Sequence, residues 1–144
     1  MYLLDTNIIS ELRKASINKA DHNVTEWARK QSVGSLFISS ISILEIEMGI
    51  LQKERKDPLQ AATLRTWLNT HVLKAFSDRI LPFDTSVAIQ CAKLHVPDPK
   101  SERDAMIGAT SKVHGMTLVT RNIKDFKHMP LDLIDPWQAM HSGL

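Results

Sequence analysis

Short runs of apolar residues alternate along this chain with longer stretches in which apolar positions recur at helical spacing. The short runs have the length of buried strands, and we predict strands at Tyr2–Leu4, Leu36–Ile38, Ile80–Phe83, Met116–Thr120 and, at an edge, Leu131–Ile134. The longer stretches and their capping residues predict helices at Ile8–Arg13, Asp21–Gln31, Ile41–Lys53, Pro58–Phe76, Val87–His95 and Glu102–His114. Arg121–Phe126 is predicted to be a turn. Because short strands that alternate with helices form βαβ units, we predict an α/β fold with a short, mainly parallel central sheet flanked by helices on both faces.

The helix predicted at Ile41–Lys53 is apolar on two faces. One face holds Ile41, Leu44, Met48 and Leu51, and the nearly opposite face holds Ile43, Ile46 and Ile50. A helix that is apolar on two sides is typically buried on two sides. A second copy of the chain can cover one of these faces, which makes a homodimer physically reasonable.

The composition is that of a globular domain. The chain has 144 residues, of which 43% are hydrophobic, and this length fits one domain, residues 1–144. Its single cysteine excludes an intrachain disulfide and a cysteine-based zinc site. No apolar run approaches the ~18 residues of a membrane span, and the N-terminus lacks the basic segment of a signal peptide, so we expect a cytoplasmic protein. The net charge of +2 is a weak indication of a polyanionic partner.

Three acidic residues lie at strand ends or near helix N-termini: Asp5, Glu45 and Asp104. Each has a structural alternative, because Asp5 can cap a helix, Glu45 forms a capping box with Ser42, and Asp104 lies three residues after a possible cap. In a parallel α/β fold, however, strand ends and the helix N-termini that follow them gather along one edge of the sheet. Three carboxylates there would repel one another unless a divalent cation neutralised them, and without cysteine or clustered histidine the cation would be Mg²⁺ or Mn²⁺. Such a site is typical of nucleases and phosphatases.

Several pieces of the chain carry a family resemblance. They are Leu3–Ser10, Ile38–Ile41 with Glu45 and Gly49, Ile80–Asp84, Asp104–Thr110 with Gly115, and Leu118–Asn122 with Asp125 and Phe126. In this order and spacing they resemble PIN-domain proteins, specifically the VapC-type toxins of bacterial toxin–antitoxin pairs and their FitB-like branch. The resemblance runs from Met1 to about Trp137.

The resemblance implies a PIN-like fold and an endoribonuclease that uses Mg²⁺ or Mn²⁺ and acts on tRNA or rRNA. It also implies a homodimer, neutralised by a cognate VapB-type antitoxin that inserts a segment over the active site. The expected chemistry is in-line attack of a metal-activated water on a phosphodiester bond. No histidine base is required, and the six histidines show no ligand spacing.

The same resemblance assigns the site residues by position. Asp5 and Asp104 correspond to direct metal ligands, and Glu45 completes their set or holds a water. The family's fourth acidic position falls at Asn122, a weaker neutral ligand, which leaves open whether one or two metals bind. Asp125 either compensates for it or caps the final segment, and we favour the cap.

Further residues are expected to support the acids or to bind RNA. Thr6 and Thr120 are expected to hydrogen-bond the acids or water. RNA affinity comes mostly from phosphate contacts, and the candidates are basic residues next to the acidic pieces: Arg13, Lys14, Lys100, Arg103, Arg121 and Lys124. The three tryptophans are expected in the core or an interface rather than as base-stacking platforms: Trp27, Trp67 and Trp137.

The sequence leaves two other functions open. A phosphatase with a phospho-aspartyl intermediate at Asp5 would need a second aspartate two residues on, where this chain has Asn7. A non-catalytic module that binds RNA or protein would use the acids only as helix caps. The phosphatase predicts a trappable aspartyl phosphate, and the binding module predicts metal affinity that survives Asp5→Asn and Asp104→Asn.

Overall fold

Five short strands form the central sheet of the computed structural model, which describes residues 1–138. The strands are β1 (Tyr2–Leu4), β2 (Leu36–Ser39), β3 (Ile80–Leu81), β4 (Thr117–Val119) and β5 (Leu133–Ile134). They lie in the order β3-β2-β1-β4-β5, and every pairing is parallel. The predicted parallel α/β architecture is confirmed, with the first strand at its centre. The predicted domain boundary at Leu144 lies outside the described residues.

Helices follow the strands closely. They are α1 (Thr6–Arg13), α2 (His22–Arg29), α3 (Ser40–Glu54), α4 (Pro58–Trp67), α5 (Leu73–Ala75), α6 (Thr85–Leu94), α7 (Glu102–Val113) and α8 (Ile123–Phe126). The helix predicted at Pro58–Phe76 is interrupted by a π-helical stretch at Leu68–Val72. The predicted turn at Arg121–Phe126 is partly wrong, because it contains α8, whose fully buried Phe126 anchors the segment in the core. No helix within residues 1–138 is long and apolar enough to cross a membrane.

The sheet separates two apolar cores. Leu3 and Leu118 are register partners and belong to one core, whereas Leu4 and Val119 are partners in the other. This division follows from the alternation of side chains along a strand. Residues of α6 and α7 complete the first core, and residues of α1, α2 and α3 complete the second. The predicted placement of helices on both faces is therefore confirmed.

Small residues bring α7 close to its neighbours. Ala105 and Ala109 are fully buried. A Cβ at Gly108 would lie 2.8 Å from the Met129 sulfur and 3.2 Å from a Leu131 methyl carbon, so a larger residue would have to displace them. This close packing fixes the position of α7 and of the acid near its N-terminus, Asp104.

The apolar faces of α3 differ in their burial. Ile46 and Ile50 are buried in the second core, whereas Leu44, Met48 and Leu51 are 45%, 37% and 50% exposed. The expectation that both faces are buried is not met by the single chain, because residues 1–138 leave the second face largely uncovered. The exposed side chains, which we call the α3 apolar face, are Leu44, Met48 and Leu51.

Candidate active site

Asp5 lies where the central strand β1 ends and α1 begins. It is the N-cap of α1, and its Oδ1 accepts a hydrogen bond from the backbone N–H of Thr6 at 2.8 Å. Its Oδ2 accepts one from the Thr120 hydroxyl at 2.7 Å and a longer one from the Asn7 amide at 3.4 Å. Only 5% of the residue is exposed. The capping role is therefore real, and it also holds the carboxylate rigidly at the carboxyl edge of the sheet.

The acidity of Asp5 reflects its surroundings. Burial raises the pKa of its carboxyl group from 3.8 to about 6, and the negative charges of Glu45 and Asp104 add to this effect. The hydrogen bonds from Thr120 and Thr6 oppose it, because they stabilise the ionised form. The three acids are thus close enough in space to influence one another, as their sequence positions predicted.

Glu45 lies in the body of α3, and the capping box expected with Ser42 is wrong. The helix begins three residues earlier than that motif requires, because Ser39 is the N-cap and its hydroxyl accepts a hydrogen bond from the Ser42 N–H at 3.1 Å. Glu45 Oε1 instead accepts a hydrogen bond from the Thr6 hydroxyl at 2.6 Å. Its Oε2 lies 3.3 Å from Nε of Arg103. Both oxygens therefore face partners from other elements.

The Thr6 hydroxyl joins two elements at this point. It lies 2.9 Å from Ser42 Oγ as well as donating to Glu45. Because a hydroxyl has one proton to donate, Ser42 is the donor in the second contact. The expected supporting role of Thr6 is thus matched by a bridge between α1 and α3, and it involves the buried Ser42, which the sequence did not single out.

Asp104 is the third residue of α7 and is half-buried. Burial raises the pKa of its carboxyl group, and the charges of Asp125 and Glu45 raise it further. A hydrogen bond from Ser101 and the charge of Arg103 act in the opposite direction. Ser101 is the N-cap residue of α7, but its side chain makes no capping hydrogen bond. The Asp104 carboxylate faces the same cleft as Asp5 and Glu45.

The loop after β4 supplies the remaining polar groups. Thr120 is fully buried; its hydroxyl donates to Asp5 and accepts a hydrogen bond from the Asn122 backbone N–H at 3.0 Å. Asn122 is exposed and is the N-cap of α8. The expectation that Asp125 caps the final segment is therefore wrong. Asp125 lies in the first turn of α8, where its charge raises the pKa of Asp104.

One cleft of about 460 Å³ brings the predicted site residues together. Asp5, Glu45, Asp104 and Asn122 all line it. Their oxygen atoms are the donors that Mg²⁺ and Mn²⁺ prefer, so the chemistry of the set fits a divalent ion. As they stand, no three acidic, histidine or cysteine side chains in residues 1–138 form a ready-made metal cage. If the Arg103 guanidinium moved away from Glu45, the Oε2 atom of Glu45 would join the oxygen donors that face the cleft.

The predicted RNA-binding residues divide by location. Lys14 and Arg121 line the cleft itself, although Lys14 also forms an ion pair with Glu11 at 3.0 Å. Lys124 lines an adjoining recess together with Arg121 and Asp125. These residues place positive charge at the acidic cleft and in the recess beside it.

The other three basic candidates have different surroundings. Arg103 contacts Glu45. Arg13 lies over the Trp67 ring at 5.9 Å in a separate apolar groove. Lys100 donates to the Asp98 carbonyl at 3.1 Å, and neither Arg13 nor Lys100 lines the cleft.

Sequence reasoning missed four residues that line the cleft: Asn7, Ser10, Glu11 and Trp137. Asn7 accepts a hydrogen bond from the Arg121 backbone N–H at 3.3 Å, which joins the loop after β4 to the start of α1. Trp137 also lines the cleft, with Cζ of Arg121 4.9 Å from its ring centroid. The expectation that Trp137 belongs only to the core or an interface is therefore incomplete. Its place directly after β5 was the available signal, because the preceding strands also end at this edge.

The chain is similar to known proteins of one family. Residues 2–131 match the family model described as PIN domain. The chain is 32% identical over 143 residues to VapC ribonuclease Y4jK of Sinorhizobium fredii, which covers 96% of this chain and 99% of that protein. It is 31% identical over 146 residues to Toxin FitB of Neisseria gonorrhoeae, with 95% and 99% covered.

The structural comparison agrees. A solved structure of FitAB bound to an IR36 DNA fragment superposes with a TM-score of 0.86 at 28% identity, covering 99% of this chain and 100% of that chain. The predicted PIN-like fold is therefore confirmed. Because the PIN domain model matches most of the sequence, this chain belongs to the PIN domain family.

Proposed function

We propose that this protein is a metal-dependent endoribonuclease and the toxin component of a toxin–antitoxin pair. The observation that carries the proposal is the meeting of Asp5, Glu45 and Asp104 at one cleft, where burial and mutual charge raise the pKa of Asp5. Relatives named as a VapC ribonuclease and Toxin FitB support the choice of RNA hydrolysis over other metal-dependent reactions.

The acidic side chains would bind the metal, and neighbouring hydroxyl groups would keep their carboxylates in position. Asp5, Asp104 and Glu45 are the proposed ligands, with Asn122 as a neutral donor at the rim. A bound Mg²⁺ or Mn²⁺ supplies Lewis-acid chemistry: it lowers the pKa of the attacking water and stabilises negative charge that develops on the phosphate. Thr120 and Thr6 fix the carboxylates of Asp5 and Glu45 through bonds of 2.7 and 2.6 Å.

Positive side chains beside the acids would bring RNA to the cleft. Lys14 and Arg121 line it and Lys124 lies in the adjoining recess. Such residues attract phosphates irrespective of sequence. We propose that they hold the phosphodiester backbone of tRNA or rRNA across the acids, in the cytoplasm.

The proposal extends to partners. The likeness to the FitAB structure supports a cognate VapB-type antitoxin as the partner that neutralises this chain. The exposed α3 apolar face supports a homodimer, because an uncovered apolar surface on a helix is typical of an interface. We propose that residues 1–144 act as one nuclease domain in this assembly.

The phosphatase alternative is less well supported. The residue two positions after Asp5 is Asn7, whose amide lies 3.4 Å from the Asp5 carboxylate. An amide at this place cannot act as the acid that a phospho-aspartyl mechanism requires. Isolation of a covalent aspartyl phosphate on Asp5 would revive this alternative.

The test is RNA cleavage by the purified protein freed of antitoxin. Total tRNA and rRNA are incubated with Mg²⁺ or Mn²⁺, with EDTA, and with Asp5→Asn. A matched control is Asp84→Asn, which changes an N-cap aspartate outside the cleft whose carboxylate accepts the Val87 N–H at 3.1 Å. We expect discrete cleavage by the wild type and Asp84→Asn that disappears with EDTA and in Asp5→Asn. Cleavage that survives Asp5→Asn would overturn the proposal.

A further inference from the structure

Trp137 and Arg121 form a stacked pair at the rim of the acidic cleft. Both residues line the cleft, and Cζ of Arg121 lies 4.9 Å from the centroid of the Trp137 ring. Arg121 is exposed, whereas Trp137 is half-buried. An arginine held over an indole presents a planar, positively charged surface to whatever enters the cleft.

Both members of the pair are fixed by hydrogen bonds of their backbones. The Trp137 carbonyl accepts a hydrogen bond from the Asn23 amide at 2.7 Å, and the Trp137 N–H donates to the Asp135 carboxylate at 2.9 Å. The Arg121 N–H donates to Asn7 Oδ1 at 3.3 Å. Asn7 also contacts the Asp5 carboxylate, so the fold fixes the position of the pair relative to the acids.

A second arginine–tryptophan contact lies away from the acidic cleft. Arg13 lies 5.9 Å from the Trp67 ring, but this pair borders the apolar groove and not the acidic cleft. Trp67 is half-buried, as Trp137 is. The two sites therefore offer a matched comparison within one protein.

We propose that the Arg121–Trp137 pair is a stacking platform for one unpaired base of the RNA, next to the phosphate held at the acids. The inference rests on the proposed nuclease function and assigns a base contact to these two residues. Unpaired bases stack on aromatic rings and guanidinium planes, whereas bases inside a duplex are already stacked on their neighbours. A base held on this pair must therefore be unpaired.

The test measures binding of a short, labelled, single-stranded oligoribonucleotide in EDTA by fluorescence anisotropy, with a duplex of the same sequence alongside. Trp137→Ala should weaken single-strand binding about 5- to 150-fold, the range for one stacked base, and should leave duplex binding unchanged. Trp67→Ala is the control and should change neither. Trp137→Leu, which keeps apolar bulk, should behave as Trp137→Ala does if the loss comes from stacking.

Substitutions of Arg121 distinguish the contribution of stacking to RNA binding from the contribution of its positive charge. Arg121→Lys keeps the positive charge and should retain the salt dependence of binding while losing single-strand preference. Arg121→Ala should also lower the salt slope by about 0.7, the value for one phosphate contact to a single strand. Equal single-strand preference in Arg121→Lys and the wild type would overturn the platform.

A double-mutant cycle with the RNA identifies the stacked base. Oligoribonucleotides with a single abasic nucleotide on either side of the cleaved bond are bound by the wild type and by Trp137→Ala. At one position, loss of the base should weaken wild-type binding but have no further effect on Trp137→Ala. Fully additive losses at every position would overturn the inference while cleavage by the wild type leaves the proposed function standing. If the wild type neither binds nor cleaves RNA, both fail.

Discussion

At the scale of single residues, Asp5 links the site to stability. Its pKa is raised from 3.8 to about 6 in the folded protein, chiefly by burial. The folded state therefore binds this proton more tightly than the unfolded state, and stability should fall as pH rises from about 4 to about 6, by at most about 3 kcal/mol. The ionised carboxylate is the unfavourable form in the metal-free protein.

Asp5→Asn removes this cost while keeping an acceptor for the Thr6 N–H. We expect the variant to be more stable than the metal-free wild type near neutral pH and equal to it below about pH 4. Urea unfolding across this pH range measures the difference. Asp84→Asn is the control, because aspartate and asparagine cap equally well. A large destabilisation by Asp5→Asn at neutral pH would favour a purely structural role for Asp5.

The contact between Arg103 and Glu45 leads to a second expectation. Arg103 Nε lies 3.3 Å from Glu45 Oε2, and the two side chains are 47% and 25% exposed. A cation at the cleft has to compete with this guanidinium for the carboxylate. Because ion pairs of this exposure contribute about 0.2–1 kcal/mol, Arg103→Gln should tighten Mn²⁺ binding by up to about fivefold.

Titration calorimetry measures this change. Lys100→Gln is the control, since it removes a nearby positive charge that contacts the Asp98 carbonyl and not Glu45. If Lys100→Gln tightened binding as much as Arg103→Gln, net charge and not competition for Glu45 would be responsible. Weaker binding by Arg103→Gln would contradict the expectation altogether.

At the scale of elements, the α3 apolar face carries the expectation of a dimer. Leu44, Met48 and Leu51 are 37% to 50% exposed, while the opposite face of α3 is buried. Leu51→Glu places a charge in the proposed interface and should convert the protein to the 16.3 kDa monomer in analytical ultracentrifugation. Leu59→Glu changes an 84% exposed leucine on α4 and should have no effect on assembly. A wild type that is already monomeric at micromolar concentration would refute the dimer.

The helix caps and the turn after β4 show how far local sequence patterns predict the elements. Asp21 and Asp84 both stand just before an apolar stretch, where aspartate is a preferred N-cap, and both cap their helices. The capping box at Glu45 failed because Ser39, Ser40 and Ser42 offer alternative starts, and only packing chooses between them. The turn predicted after β4 failed for a similar reason, since burial of Phe126 favours a helical turn.

At the scale of the whole molecule, the order of strands and helices placed the acids correctly. Asp5, Glu45 and Asp104 could be grouped from sequence because parallel strands end at one edge of a sheet. The contacts of Arg103 with Glu45 and of Arg121 with Trp137 could not be predicted in this way. No local sequence pattern indicates contacts between residues so far apart in the chain, because these contacts depend on the geometry of loops in the folded protein.

The most direct test of the central claim is a calorimetric titration of Mn²⁺ into the metal-free protein, repeated from pH 8 down to pH 5. Carboxylate ligands must lose their protons to bind a metal, and the pKa of Asp5 is about 6. We therefore predict saturable binding that weakens as the pH falls through about 6, is lost in Asp5→Asn and Asp104→Asn, and is retained in Asp84→Asn. Binding that is unchanged in Asp5→Asn and Asp104→Asn, or absent from the wild type at every pH, would contradict the assignment of this cleft as a metal-dependent active site.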